Sequence, residues 1–368
     1  MRQIHRFCAV IPLFLGLTLL LAGCGGGTAL HRIPTASTVV SGPTHEDTTL
    51  SQAPQSSTLK VAILLPLTGQ HAALGQSMLN AAQLAVFDIG KDDLELISKD
   101  TGGTPAGATG AAKSAMEEGA QLILGPLFAE EVRAVKAITT GHNINVLTFS
   151  TDWSLAGGNI YVMGFTPFSQ VERIAEYAAA RGVRNAAIAA PNDTYGVSVA
   201  EAFRTATTKH GIATSGVLSN PSSYDAAFIP ANGQALKTSL IQVANTFALK
   251  LGTGLWDDTR IAADPAMNGA IFAAPPPSSR RGFEQRYHST YGTAPVRIAS
   301  LAYDATALAA ALSNTGYTDA ALKNPAGFAG VDGIMRFQSN GLMERGVAVL
   351  QIKDGNIIEL EPAPRTFR

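Results

Sequence analysis

The chain has 368 residues, 46 % hydrophobic and 15 % charged, with a formal net charge of −1. That balance leaves no basic surplus for nucleic acid, and removing residues 1–23, which hold Arg2, Arg6 and no acid, only moves the charge to −3. The two cysteines, Cys8 and Cys24, cannot supply a disulfide framework or a zinc–cysteine site in the body of the chain, so stability has to come from a buried core.

Arg2 and Arg6 precede an apolar run at 9–21. A helix of that length spans about 20 Å, short of the roughly 30 Å hydrocarbon core, so the run is the centre of a secretory signal and not a membrane span. Leu21-Ala22-Gly23-Cys24 follows and resembles the lipobox of bacterial lipoproteins. The resemblance implies cleavage before Cys24 and acylation there, with roughly 0.8 kcal/mol of anchoring per buried methylene. Residues 1–23 are expected to be a signal peptide and 24–58 a lipidated, disordered tether, because that stretch is rich in Gly, Ser, Thr and Pro and lacks an apolar period. A coil of about 34 residues reaches roughly 30–35 Å.

From residue 59 the pattern changes. The apolar run at 61–65 (VAILL) suits a strand buried on both faces. Leu74, Met78, Ala81, Ala82, Ala85 and Ile89 then recur at helical spacing. Further strands are expected at 94–98, 121–124, 145–149, 185–190, 226–229 and 270–273, with helices near 105–118, 129–141, 168–181, 196–210, 232–248 and 278–291. Repeated strand-then-helix order predicts an α/β protein with two doubly wound parallel-sheet lobes. Pro295 precedes a helix at Ile298, Leu301, Ala302, Ala305, Leu308 and Leu312 that returns the chain to the first lobe. Asn340-Gly341 and Asp354-Gly355 sit between apolar runs, which predicts C-terminal antiparallel hairpins. The expected division is 59–164 with 295–332 in lobe 1 and 165–294 with 333–368 in lobe 2.

The phrases at 61–69 (VAILLPLTG), 122–127 (LILGPL) and 301–308 (LAYDATAL), with the turn Asp193-Thr194-Tyr195-Gly196, resemble type I periplasmic binding proteins of the leucine/isoleucine/valine receptor group. The resemblance covers roughly residues 59–360. It implies a hinged fold whose cleft lies at the C-terminal ends of the strands, with Thr68, Leu127, Phe128, Ala129, Ser150, Thr151, Tyr195 and Asn268 as cleft candidates. In that family small hydroxyl residues and a helix N-terminus hold a ligand carboxylate, and a glutamate holds its ammonium. Here Leu127, Phe128 and Ala129 replace the hydroxyls, Glu130 and Glu131 crowd the helix start, and Asn268-Gly269 stands where the glutamate is expected. An unpaired charge in a closed cleft costs several kcal/mol, which argues against a zwitterionic amino acid as ligand.

The segment 125–127, the tether behind a lipobox, and the phrase at 252–258 (GTGLWDD) also resemble penicillin-binding-protein activator lipoproteins. Some members carry a helical-repeat domain ahead of this fold, where this chain has only the tether. The resemblance implies a non-catalytic protein on the periplasmic face of the outer membrane, partnered with a bifunctional penicillin-binding protein; Gly25 after the lipidated cysteine favours that membrane over the inner one. The alternative is a lipid-anchored solute-binding protein of an ABC transporter, with a small-molecule ligand. Trp256, Asp257 and Asp258 are expected to form a partner-facing loop, with packing at the solvent edge as the competing reading. Tyr195 either lines the cleft or packs on its own helix. Thr101-Gly102-Gly103-Thr104 lacks the lysine–hydroxyl pair of a phosphate loop. His71, His142, His210 and His288 show no ligand spacing, and no nucleophile elbow appears, so no metal, cofactor or catalytic residue is expected.

Overall fold

The structure is a computed structural model that describes residues 58–91 and 93–367. Cys24, the signal segment and nearly all of the tether lie outside the described residues. Strand β1 (Leu59–Leu65) opens the fold. Its alternate residues enter two cores: Val61, Ile63 and Leu65 on one face of the sheet, Ala62 and Leu64 on the other, which is why its sequence is a continuous apolar run. Helix α1 (Ala72–Ile89), β2 (Leu94–Asp100), α2 (Pro105–Glu117), β3 (Leu122–Leu124), α3 (Ala129–Thr139), β4 (Asn145–Thr148) and β5 (Ile160–Val162) follow. The five strands form one parallel sheet ordered β2-β1-β3-β4-β5.

The second sheet takes its strands from the next stretch: α4 (Phe168–Ala180), β6 (Asn185–Ile188), α5 (Thr194–Lys209), β7 (Ala213–Ser215), β8 (Ala226–Phe228), α6 (Gly233–Gln242), β9 (Leu249–Thr253), α7 (Thr259–Ala262), β10 (Ile271–Ala274) and α8 (Pro277–Tyr291). Helix α9 (Ala299–Leu312) then packs on the first sheet, with Leu301, Ala302, Ala305 and Leu308 in the core that holds Val61 and Met78. After α10 (Asp319–Leu322) come β11 (Phe328–Gly330), β12 (Gly333–Phe337) and β13 (Met343–Arg345), a small antiparallel sheet. Strands β14 (Ala348–Lys353) and β15 (Asn356–Glu361) close the second sheet, ordered β15-β14-β10-β9-β8-β6-β7. They pair antiparallel through Asp354 and Gly355, at φ 50° and 77°, the left-handed pair that a two-residue hairpin requires.

The two parallel lobes and the appended antiparallel strands match the sequence expectation. Three details differ. Residues 333–345 were expected in lobe 2, but Met335, Phe337 and Met343 pack in the lobe 1 core, with Phe337 edge-on to Tyr161 at 5.0 Å. The helix expected over 232–248 stops at Gln242, because Asn245 donates its N–H and Nδ2 to Tyr224 and not its N–H to the preceding turn. The short strands β5, β7, β9 and β11 were not foreseen, since three to five residues give too little periodicity to register, whereas β12 and β13 flank Asn340-Gly341 as the expected hairpin requires.

Candidate functional site

A cavity of about 320 Å³ opens where the C-terminal ends of both parallel sheets face each other. The loop after β4 brings Thr151 and Trp153, the crossing after β5 brings Phe165 and Pro167, and α4 brings Gln170. The second sheet adds Tyr195 at the start of α5, Gly254 and Leu255 after β9, and Ala274 and Pro275 after β10. Asp257 and Arg297 complete the lining. Trp153 stands edge-on to Phe168 at 5.3 Å and tilted to Tyr195 at 6.3 Å, so one wall is aromatic. The Tyr195 hydroxyl lies 3.3 Å from Thr253 Oγ1. Burial, aided by Asp193 and opposed by the Thr253 hydrogen bond, raises its pKa, so it stays neutral at physiological pH.

The polar groups of this site are mostly engaged within the chain. Gln170 is buried, accepts the Gly254 N–H at 2.7 Å and donates to the Thr166 carbonyl at 3.2 Å. Asp257 is the one carboxylate in the lining, and it is held by Arg280 at 3.1 Å and Arg297 at 3.4 Å. Arg297 also pairs with the fully buried Asp332 at 3.0 Å. The Phe165 ring lies between two guanidiniums, Arg297 at 4.5 Å and Arg345 at 5.0 Å. Arg345 donates to the Met163 carbonyl at 3.0 Å and lies 3.9 Å from Asp304, which accepts the Val331 N–H at 2.7 Å. The three chain crossings between the lobes therefore meet in one buried cluster of three acids and three arginines. Burial, with Asp332 adding its charge, pushes the Asp304 carboxyl up to about 7. Burial likewise lowers the pKa of Arg345, while around Arg280 the acids led by Asp257 outweigh burial and raise it.

On the lobe 1 wall, α3 begins after Phe128. The Phe128 N–H donates to Glu131 Oε2 at 3.1 Å, and Glu131 is fully buried. The helix start thus carries its own carboxylate, as in the glutamate half of a capping box. Ala129 opens the helix, Leu127 is buried in the lobe 1 core, and the Phe128 ring packs on His71 at 4.7 Å. Thr68 donates its hydroxyl to Asp100 at 2.6 Å. Asp100 also accepts the N–H groups of Leu67 and Gly102, and its hydrogen bonds outweigh burial and lower its pKa. Ser150 is buried and accepts the Asp152 N–H at 3.1 Å.

The structure brings Thr151, Tyr195 and Asp257 to one cavity and leaves the remaining sequence candidates outside its lining. Two placements correct the sequence reading. Asn268 precedes β10, at the end of that strand remote from the cleft, and accepts the Asp354 N–H at 3.0 Å. The position facing the cavity from the second sheet is Gly254, whose added Cβ would meet Gln170 at 3.2 Å. Trp256 is not on a surface loop. It is fully buried, donates Nε1 to the Ala231 carbonyl at 2.9 Å and lies on Gly252, where any Cβ would sit 2.6 Å from its ring. Asp258 caps α7 and pairs with Arg260 at 2.6 Å. Sequence reasoning missed Phe165, Gln170 and Arg297; the available signal was only their position beside or within the expected 168–181 helix and just before α9.

These features define a two-lobed binding-protein architecture. A periplasmic binding protein family model matches residues 58–356, and the chain belongs to that family. Among curated proteins it is 31 % identical, over 144 residues, to the penicillin-binding protein activator LpoA of Glaesserella parasuis serovar 5 (strain SH0165), a match covering 39 % of this chain. The matched stretches span 24 % of that relative and 32 % of a second curated relative. Among solved structures, a candidate branched-chain amino acid ABC transporter protein of Rhodospirillum rubrum aligns over 82 % of this chain and 100 % of its own, at 19 % identity and TM-score 0.72. The C-domain of Haemophilus influenzae LpoA, a regulator of PBP1A, aligns over 82 % and 99 %, at 20 % identity and TM-score 0.64. At those identities both structures speak for the fold alone.

Proposed function

We propose that the chain is a non-catalytic regulatory lipoprotein that activates a bifunctional penicillin-binding protein in peptidoglycan synthesis. It would be anchored through Cys24 to the periplasmic face of the outer membrane and held off it by residues 24–58. The observation that carries this reading is the internal pairing of the cleft: Glu131 occupies the α3 N-terminus and Asp257 is bound by two arginines. The Phe128 N–H and the Asp257 carboxylate, two groups that could meet the charges of a zwitterion, are already paired, so the cleft is suited to fixing the two lobes. The 31 % identity to an activator over part of the chain supports the same reading. The test is glycan-chain synthesis by each purified bifunctional synthase of the encoding organism, with and without the lipidated chain. Stimulation supports the reading and its absence with every synthase removes it. Anchoring is tested separately: Cys24→Ala should abolish labelling by a palmitate analogue, and unchanged labelling would refute it.

A second reading, a lipid-anchored solute-binding protein, is favoured by one observation, the 320 Å³ cavity with aromatic walls. It predicts a saturable melting shift with a small ligand. A ligand at a hundred times its dissociation constant stabilises the folded chain by about 2.7 kcal/mol.

A further inference from the structure

At the end of the second lobe remote from the cleft, the surface differs from the rest of the molecule. Ile241, at the end of α6, is 86 % exposed, and Phe247, just before β9, is 98 % exposed. Single exposed hydrophobic residues are ordinary, but here the loop backbone that carries Phe247 is held in place. The Tyr224 hydroxyl accepts the Asn245 N–H at 2.9 Å, Asn245 Nδ2 donates to the Tyr224 carbonyl at 2.9 Å, and Asn245 Oδ1 accepts the Phe247 N–H at 3.0 Å. The backbone that carries Phe247 is therefore fixed, so on binding only the side chain itself would have to be ordered. Beside Phe247 runs a groove lined by Val183, Leu249, Ile271, Asp225 and Arg181, whose guanidinium lies over the Tyr177 ring at 4.7 Å.

The charges around this loop point to what would cover it. Across residues 211–250 the sequence has one acid, Asp225, and its carboxylate already accepts the backbone N–H groups of Arg184 and Asn185. Arg181, Arg184 and Lys250 make no ion pair among the described residues. Exposed apolar anchors beside unpaired cations complement an apolar, acid-rimmed surface.

We propose that this end of the second lobe is a docking surface for a partner protein, which receives Phe247 and Ile241 in an apolar pocket and pairs acidic side chains with Arg181 and Arg184. The assignment rests on the activator reading and names its contact surface in place of the buried Trp256. The test measures affinity of the full lipidated chain, in detergent, for each purified bifunctional penicillin-binding protein of the encoding organism. Ile241→Ser/Phe247→Ser should weaken the dissociation constant at least tenfold, and Arg181→Glu/Arg184→Glu several-fold, with melting temperature unchanged. Phe87→Ser, at another exposed phenylalanine, should leave affinity unchanged. If the wild type binds a synthase and the Ile241/Phe247 variant binds as tightly, the surface assignment falls while the activator reading stands. If the wild type binds none of them, the activator reading falls and takes this partner with it. If the variant keeps synthase binding but loses flotation on phosphatidylglycerol vesicles, or loses self-association in sedimentation, the surface serves a membrane or a second copy and the proposal is overturned.

Discussion

The cleft and the far end of the second lobe treat their charges in opposite ways. In the cleft Asp257 meets Arg280 and Arg297, Arg297 meets Asp332, and the α3 N-terminus meets Glu131. At the far end Arg181 and Arg184 are exposed, on the same lobe as an exposed phenylalanine and isoleucine. Buried charge survives only when paired, because removing it from water costs several kcal/mol per ion. Exposed unpaired charge costs little and remains available to a partner. In this chain the cleft between the lobes and the groups free to make a new contact are in different places.

The largest expected effect breaks the paired side of that comparison. Arg297→Leu takes from Asp332, 0 % exposed, its one ion-pair partner within 4 Å among the described residues and should destabilise the chain by about 3 kcal/mol, the lower end for a buried pair, because Arg297 is 31 % exposed and Arg345 and Arg280 still act on Asp332. Urea unfolding measures it, and Arg297→Leu/Asp332→Leu should recover most of the loss because the buried carboxylate and its partner are then both gone. Equal loss in the double variant would mean that packing, not charge, holds the crossings together.

A pH series sharpens the same point. The Asp304 carboxyl is pushed up to about 7, first by burial and then by Asp332. Folding therefore favours its protonated form. Its contribution is fully present below its unfolded pKa, near 4, and is lost as pH rises toward 7. Asp304→Asn should make stability less dependent on pH across that window. An unchanged slope would place the titrating group elsewhere.

Glu131→Ala acts on the other cleft wall and should cost about 1 kcal/mol, the usual size of a lost helix cap. It should also free the α3 N-terminus, so that sulfate stabilises the variant more than the wild type in a melting experiment. The smallest effect belongs to the unpaired side. Phe247→Ser should change stability by no more than about 0.5 kcal/mol, because the side chain touches little.

How far the sequence could lead is clear from particular residues. The run at 61–65 and the Asp354-Gly355 turn carry their structure locally: a continuous apolar run for a two-sided strand, and two residues tolerant of positive φ for a hairpin. Glu131 was legible as a charge at a helix start, and the structure adds that it turns inward onto the Phe128 N–H. Trp256 was not legible. A tryptophan before two acids resembles an exposed anchor, yet its burial depends on the space left by Gly252 and on a carbonyl 25 residues away. Asp257 belongs to the same class, since its partners Arg280 and Arg297 lie 23 and 40 residues downstream. Asn268 was misplaced because a motif gives position along the chain but not which end of a strand faces the cleft.

The central claim is that this protein works through an outward surface and not through a ligand held in its cleft. The most direct measurement is the rate of glycan-chain synthesis by a purified bifunctional synthase of the same organism, in the presence of wild-type chain or of Ile241→Ser/Phe247→Ser. Stimulation by the wild type, lost in the variant, with no melting shift of either chain on adding leucine, isoleucine or valine, is the predicted result. No stimulation by the wild type, together with a saturable melting shift from one of those amino acids, would contradict it and make the cleft the working site.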